Sequence, residues 1–497
     1  MGALTTCPAL PKAGLFADNT FRDPRGSTAQ WVLNPATEAV LGRVTDAGPA
    51  DVDAAIGAAR RTVDGGEWSR LTPRERSDAL HRLTDALTAD YDRILAVVVA
   101  ETGCPVTASR GHQVGIPLRH LEYWAEVARR PDLVPRNPHV TTRSDGSGVL
   151  GGWAVRREPY GVVAAITPYN FPFLQTVMKV GPALAAGNSM VIKPSPFTPY
   201  STFLIAEAAQ RAGLPDGVIN VVTGGSDVGD QLVGDPRVDL ISFTGSDKVG
   251  ALIARRAAPR MVRLVLELGG KSPLIVCADA DLRIAARAGA QSATYHAGQG
   301  CALTTRHLVH HRVREEYLEL LAEQISEVKV GDPTDPATGM GPLIRPEAVN
   351  RVHRLVGEAQ KHGAELLLGG HRGPHTCGYF YEPTVLINVA NSAPIARDEI
   401  FGPVAVVIDT DNDDHAVALA NDSPYGLAGH VVAGDPARAF EMACRLRTGS
   451  VDINGGPGYT NPDVPFGGYK NSGLGRENGS EGIDEYTQFK TIKYHAG

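Results

Sequence analysis

The spacing of hydrophobic and polar positions changes along the chain. From about residue 48 to 130, apolar residues recur every three or four positions with charges between them, in Pro49 to Arg61 and again in Pro73 to Glu101. That spacing predicts amphipathic helices lying on a core. The stretch from Arg130 to Gly152, rich in proline and glycine, predicts an extended excursion between units, either a linker or a separate hairpin. Short β-rich runs follow at Gly161 to Ile166, Ser189 to Ile192, Val218 to Val222, Leu240 to Phe243 and Val262 to Leu266. Helix-length segments, Phe171 to Ala186 and Tyr200 to Ala212, separate the first three, and each ends at a glycine. Strands alternating with helices predict a parallel, doubly wound sheet whose ligand site lies at the carboxyl ends of its strands. A second α/β segment runs from Lys271 to about Gly455, with strands at Val404 to Ile408 and His430 to Val432. The tail from Tyr486 to Tyr494 reads as a lone strand that needs a partner sheet.

Composition narrows the partners. With 55 acidic against 48 basic residues, and a formal charge of −7, the chain has no basic stripe for nucleic acid and no polybasic membrane anchor. No apolar run approaches the length of about 20 residues that a membrane span needs. Six cysteines without a CxxC pair are too sparse to staple 497 residues, so free thiols in a reducing, cytoplasmic setting are expected. No metal-ligand cluster stands out.

Among those cysteines, Cys301 is set apart by its neighbours. In Gln299-Gly300-Cys301-Ala302 the thiol lies between small residues, where backbone can approach a substrate closely. Three other segments supply what a reactive thiolate needs. Leu266-Glu267-Leu268-Gly269-Gly270-Lys271 sets one carboxylate at the end of an apolar strand, where burial would raise its pKa toward that of a general base. A buried structural ion pair is the alternative for Glu267. Pro168-Tyr169-Asn170-Phe171-Pro172 places Asn170 at the carboxyl end of another strand, able to donate to an oxyanion or simply to shape a turn. Phe243-Thr244-Gly245-Ser246-Asp247-Lys248-Val249-Gly250 runs from a strand through glycine into a helix and aims backbone N–H groups at an anion such as a pyrophosphate. Its spacing is not GxGxxG.

Together these segments resemble the aldehyde dehydrogenase superfamily. The match runs from Asn34-Pro35-Ala36-Thr37 through the PYNFP segment, Ile192-Lys193-Pro194-Ser195, FTGS, LELGGK, GQGC and Glu399-Ile400-Phe401-Gly402-Pro403 to Phe466-Gly467-Gly468-Tyr469-Lys470-Asn471-Ser472-Gly473. The resemblance implies an α/β fold with three parts. These are a Rossmann-like cofactor domain (1–130 and 150–267), an α/β catalytic domain (268–465) and a small β oligomerisation arm (131–149 and 466–497). A homodimer or homotetramer is expected.

By the same resemblance, Cys301 is the nucleophile, Glu267 the base, and Asn170 with the Cys301 backbone N–H the oxyanion hole, while Lys179 and Glu477 assist proton relay. The cofactor positions are Ile166, Thr167, Pro168, Tyr169, Lys193, Ser195, Pro196, Gly225, Gly229, Phe243, Thr244, Gly245, Ser246, Val249, Leu268, Gly269, Glu399 and Phe401. Within that set Lys193 holds the adenosine ribose, Ser246 the pyrophosphate and Glu399 the nicotinamide ribose. Tyr169 stands where the family usually has Trp. Pro196 replaces the acidic residue that would accept the ribose 2′-hydroxyl, so NAD is expected with NADP as a competitor.

The resemblance also makes Phe171, Met178, Leu303, Tyr459 and Phe466 the tunnel candidates. Mostly apolar, they favour an uncharged aliphatic or aromatic aldehyde, oxidised to its acid through a Cys301 thioester. A semialdehyde dehydrogenase, a coenzyme A-acylating relative and a catalytically silent binding protein on the same fold are the alternatives. Glu267 argues against the acylating one.

Overall fold

The computed structural model describes residues 8–495 except 457, 459 and 460. Its largest sheet has eight strands in the order Thr20–Arg22, Leu15–Ala17, Ile219–Val222, Ser189–Lys193, Val162–Ile166, Leu240–Thr244, Arg263–Glu267 and Gly473–Leu474. The five from Ile219–Val222 to Arg263–Glu267 are parallel, and short antiparallel strands close both edges. Val162–Ile166, Ser189–Lys193 and Leu240–Thr244 are buried along their whole length. Such continuous Val, Ile and Ala runs are what a sheet covered on both faces requires. Helices Pro49–Gly65 and Ser226–Gly234 contribute to one face, Pro172–Ala185 and Tyr200–Arg211 to the other.

A second sheet of seven strands runs Glu365–Leu368, Thr384–Ile387, Val404–Thr410, Arg306–His310, Pro273–Val276, His430–Val432 and Asp452–Ile453, parallel except at the first edge. A third sheet is the hairpin Leu133–Thr142 and Gly148–Pro159, joined by the tail strand Thr487–His495. The lone strand of the tail thus finds its partner in the proline- and glycine-rich excursion. The arm boundaries differ from those expected. Residues 150–159 belong to this third sheet. Gly473–Leu474, expected in the arm, instead pairs with Leu266 and Glu267. Gly473 permits that approach, because a Cβ there would lie 2.1 Å from the Leu266 carbonyl oxygen.

The helical region departs from its expected form in two places. Pro73 to Glu101 is two helices, Pro73–Ala89 and Tyr91–Thr102, broken at Asp90, whose carboxylate binds Arg211 at 2.6 Å. Between Val106–Ala108 and Ile116–Val127, residues Ser109–Gly115 form a π-helical turn in which the Ile116 N–H donates to the carbonyl of Gly111, five residues back. Pro117 follows directly and has no N–H to continue an α-helical ladder.

Candidate active site

In the large sheet the chain winds outward from Val162–Ile166 in one direction and from Leu240–Thr244 in the other, and these two strands are neighbours. Such a reversal opens a crevice at the carboxyl ends. Thr167 to Asn170 leave the first strand there, Gly245 and Ser246 leave the second, and Glu267 ends the adjoining strand. The Gly245 N–H donates to the Glu267 carbonyl at 3.0 Å, which ties the last two ends together.

The Cys301 loop is brought to the same place by an unusual backbone. His296, Ala297 and Gly298 have φ of 47°, 53° and 72°, three successive left-handed residues. For the two with side chains this conformation costs on the order of 1–3 kcal/mol each, so surrounding contacts must impose it. Gln299, fully buried, supplies some of them: its Nε2 donates to the carbonyls of His296 at 3.1 Å and Pro342 at 3.4 Å, and its Oε1 accepts from the Ile344 N–H at 3.0 Å. Asn170 Nδ2 donates to the Gln299 carbonyl at 2.8 Å, while the Asn170 carbonyl accepts from Gln113 Nε2 at 3.2 Å. A Cβ on Gly270 would meet the Cys301 carbonyl oxygen at 2.4 Å, so the two glycine-rich segments touch.

The electrostatics follow from this crowding. Glu267 is 2% exposed, and neither of its carboxylate oxygens has a hydrogen-bond partner among the described residues. Burial, then the negative charge of Glu477, pushes its carboxyl up to about 8, against the opposing influence of the Cys301 thiol. Cys301 is half-buried, and desolvation followed by the Glu267 charge holds its thiol well above the usual range. Charge on either group therefore opposes charge on the other. Behind them Lys179 Nζ donates to Glu477 Oε1 at 2.6 Å and to Thr244 Oγ1 at 2.8 Å, and Thr244 donates in turn to Gln175 Oε1 at 3.1 Å. This chain is wholly buried.

The expected cofactor residues line the same crevice and its flank. Lys193 Nζ, with its pKa lowered to about 8 by burial, donates to the Gly224 carbonyl at 3.0 Å, and a Cβ on Gly229 would contact its Cε at 3.6 Å. Gly225 caps the helix that carries Gly229. Ser246 caps the helix Asp247–Ala257 and accepts from the Val249 N–H at 3.4 Å. A Cβ on Gly245 would strike the Phe243 ring at 2.4 Å, and one on Gly269 would strike the Glu399 carboxylate at 2.6 Å. Glu399 accepts from the Gly270 N–H at 3.1 Å, and burial raises its carboxyl to about 7.

Phe401, held at φ 51°, meets Tyr169 edge-on with centroids 5.9 Å apart. Thr167 keeps a buried hydroxyl with no partner among the described residues, Ile166 and Leu268 are buried apolar walls, Ser195 accepts from the Phe197 N–H, and Pro168 and Pro196 are half-buried. Small backbone, a buried ammonium, a carboxylate and a helix N-terminus along one crevice fit a dinucleotide.

Phe171, Met178 and Phe466 form an apolar cluster with Ile116, Leu174 and Leu427, against which Tyr295, Cys301 and Ala302 pack. Leu303 lies outside this cluster; it folds over Gly300, where a Cβ would meet it at 2.9 Å, because the chain turns back through a Thr305 N–H to Leu303 carbonyl bond. Tyr459 falls outside the described residues. Gln113, Gln175 and Tyr295 carry no motif and sequence reasoning passed over them, while Gln299, inside the GQGC motif, was given no role of its own. A buried amide between glycines was the one available hint at Gln299.

Comparison with known proteins agrees with this geometry. The sequence profile of the aldehyde dehydrogenase family matches residues 21–492. The chain is 38% identical over 492 residues to 3-succinoylsemialdehyde-pyridine dehydrogenase of a Pseudomonas species, covering 97% of this chain and 98% of that one. Betaine aldehyde dehydrogenase of Staphylococcus aureus, solved with NAD+, superposes with a TM-score of 0.93 at 33% identity, covering 98% and 95%. Aldehyde dehydrogenase C of Pseudomonas syringae, a cysteine-to-alanine mutant solved with NAD+ and octanal, gives 0.91 at 36% identity, covering 98% of each. The chain belongs to the aldehyde dehydrogenase family, enzymes that oxidise aldehydes with NAD(P)+.

Proposed function

We propose that Cys301 is the nucleophile, that Asn170 and the Cys301 backbone N–H hold the oxyanion, and that Glu267 is the base. The observation that carries this reading is the Glu267 carboxylate, buried with both oxygens unpaired by any nitrogen or oxygen donor among the described residues and next to the half-buried Cys301 thiol. Cys301 first gives its proton up to solvent; the thiolate sulfur then attacks the aldehyde carbon and the carbonyl π electrons move to oxygen. Asn170 has one N–H committed to Gln299 and a second left for that oxygen. A nicotinamide held by Glu399 and Phe401 would supply the hydride acceptor that conversion of the adduct to a thioester requires. Glu267 then takes a proton from water, whose oxygen attacks the thioester carbon, and Cys301 leaves as thiolate. Lys179 and Glu477 place a charged pair within electrostatic reach of Glu267, fitting a relay that carries its proton away.

Lys193, Ser246, Glu399 and Phe401 are the proposed cofactor contacts. NAD is the proposed cofactor, with NADP admitted because Pro196 brings no carboxylate to the ribose. The substrate is an uncharged aldehyde, as the apolar cluster around Cys301 favours. The arm sheet Leu133–Thr142, Gly148–Pro159 and Thr487–His495 leaves Leu133, Val140, Leu150 and Phe489 exposed, which suits a homo-oligomer contact. Among the described residues no helix is long and apolar enough to cross a membrane, in keeping with a proposed cytoplasmic enzyme. A reduced-cofactor assay over an aldehyde panel, with NAD and NADP in parallel, tests the reading. Turnover of uncharged aldehydes without added thiol acceptor is expected, and turnover only with coenzyme A would favour the acylating alternative.

A further inference from the structure

Four rings converge beside the apolar cluster that holds Cys301. His112 lies 5.5 Å from Phe171 and 5.5 Å from Tyr295, centroid to centroid. Phe171 faces Tyr295 at 6.4 Å with only 21° between their planes, and contacts His296 at 5.3 Å. These rings come from three separate places. Phe171 follows the oxyanion residue, Tyr295 begins the kinked loop before the nucleophile, and His112 sits within the π-helical turn Ser109–Gly115. Single π-helical turns recur at functional sites, and here the turn carries His112 to the other two rings.

We propose that His112, Phe171 and Tyr295 form the specificity wall of the substrate tunnel and that the preferred substrate is a planar aromatic or heteroaromatic aldehyde, with His112 the specificity-determining residue. This rests on the Cys301 reading above. Flat rings at edge-to-face and near-parallel angles offer a planar guest several favourable contacts, each worth about 0.5–1.5 kcal/mol beyond area burial, or roughly two- to twelvefold. A flexible alkyl chain gains the burial but not the ring contacts. The wall carries no formal charge: burial lowers His112 to about 4 and leaves its imidazole neutral, and Tyr295 buries its hydroxyl near Cys104. A quaternary ammonium would have only the ring faces and no carboxylate in the wall to balance it.

The test compares kcat/KM for benzaldehyde, pyridine-3-carboxaldehyde, octanal, succinic semialdehyde and betaine aldehyde, in the full-length enzyme with saturating NAD. The two aromatic aldehydes are expected to exceed octanal about tenfold. His112→Leu, which keeps bulk and apolarity but loses the ring, lowers the ratio of kcat/KM for the aromatic substrates over octanal about three- to tenfold, and His112→Phe restores the ratio. Preference for octanal, betaine aldehyde or succinic semialdehyde, or an equal loss on all substrates in His112→Leu, would overturn the aromatic inference alone. Failure of every aldehyde to reduce the cofactor would overturn the underlying reading of the site.

Discussion

The Asn170 side chain donates to the carbonyl of Gln299 across 2.8 Å, joining the end of a strand in the large sheet to the loop that presents Cys301. One amide thus ties down the Cys301 loop and, in the proposed mechanism, retains an N–H for developing charge. Asn170→Ala is expected to lower kcat by about a hundred- to a thousandfold. Loss of one buried hydrogen bond should lower stability by only about 1 kcal/mol. Steady-state kinetics and thermal melting on the same preparation separate the two effects.

The proposed role of Glu267 as base predicts a pH dependence. Its carboxyl must be ionised to act as a base, and burial raises its pKa to about 8, so the ionised fraction grows as pH rises through that value. The single-turnover rate of thioester hydrolysis should therefore climb with pH along a limb centred near 8. A flat profile between pH 6 and about 9 would speak against Glu267 as the base.

Lys179 and Glu477 form a wholly buried pair at 2.6 Å, and removing one partner strands the other's charge. Glu477→Gln or Lys179→Met is expected to destabilise the fold by about 3–5 kcal/mol. The double change to Met and Leu should recover most of that stability, because two apolar side chains replace the pair. It should not recover the rate of thioester hydrolysis. Denaturant midpoints and rapid-quench kinetics give the two readouts.

In the proposed cofactor site Pro196 takes the position from which a carboxylate would accept the ribose 2′-hydroxyl. Introducing one, Pro196→Glu, adds a charge-assisted hydrogen bond to NAD worth about 1.5–3 kcal/mol and repels a 2′-phosphate. The ratio of kcat/KM for NAD over NADP should rise by about ten- to a hundredfold. Parallel titrations of the two cofactors measure it.

The long parallel strands were legible because unbroken Val, Ile and Ala runs admit few other placements, and the helices around them because their apolar period is regular. Gly473–Leu474 was not: two residues show no period, and their pairing with Leu266 and Glu267 depends on a contact between segments far apart in the sequence. His112 stayed hidden because the π-helical turn breaks the period of 3.6 by which a helix face is read, and Pro117 hints at a break without saying where the ring points. Leu303 differs from its neighbours Cys301 and Ala302 in lying over Gly300 and outside the apolar cluster, a placement that its position next to the motif does not reveal. Cys301, Glu267 and Asn170 could be gathered from separate motifs only by resemblance. The fold adds the reason they meet, namely three strand ends at one crevice and a kinked loop anchored by Gln299.

The central claim is that acyl transfer runs through Cys301 and is completed by Glu267. Intact-protein mass spectrometry of Glu267→Gln, mixed with benzaldehyde and NAD, tests it most directly. The account predicts a burst of one equivalent of reduced cofactor per site and a benzoyl adduct that peptide mapping assigns to Cys301, absent in the Cys301→Ala, Glu267→Gln double variant. Steady turnover without a trapped adduct, or an adduct on another residue, would contradict it.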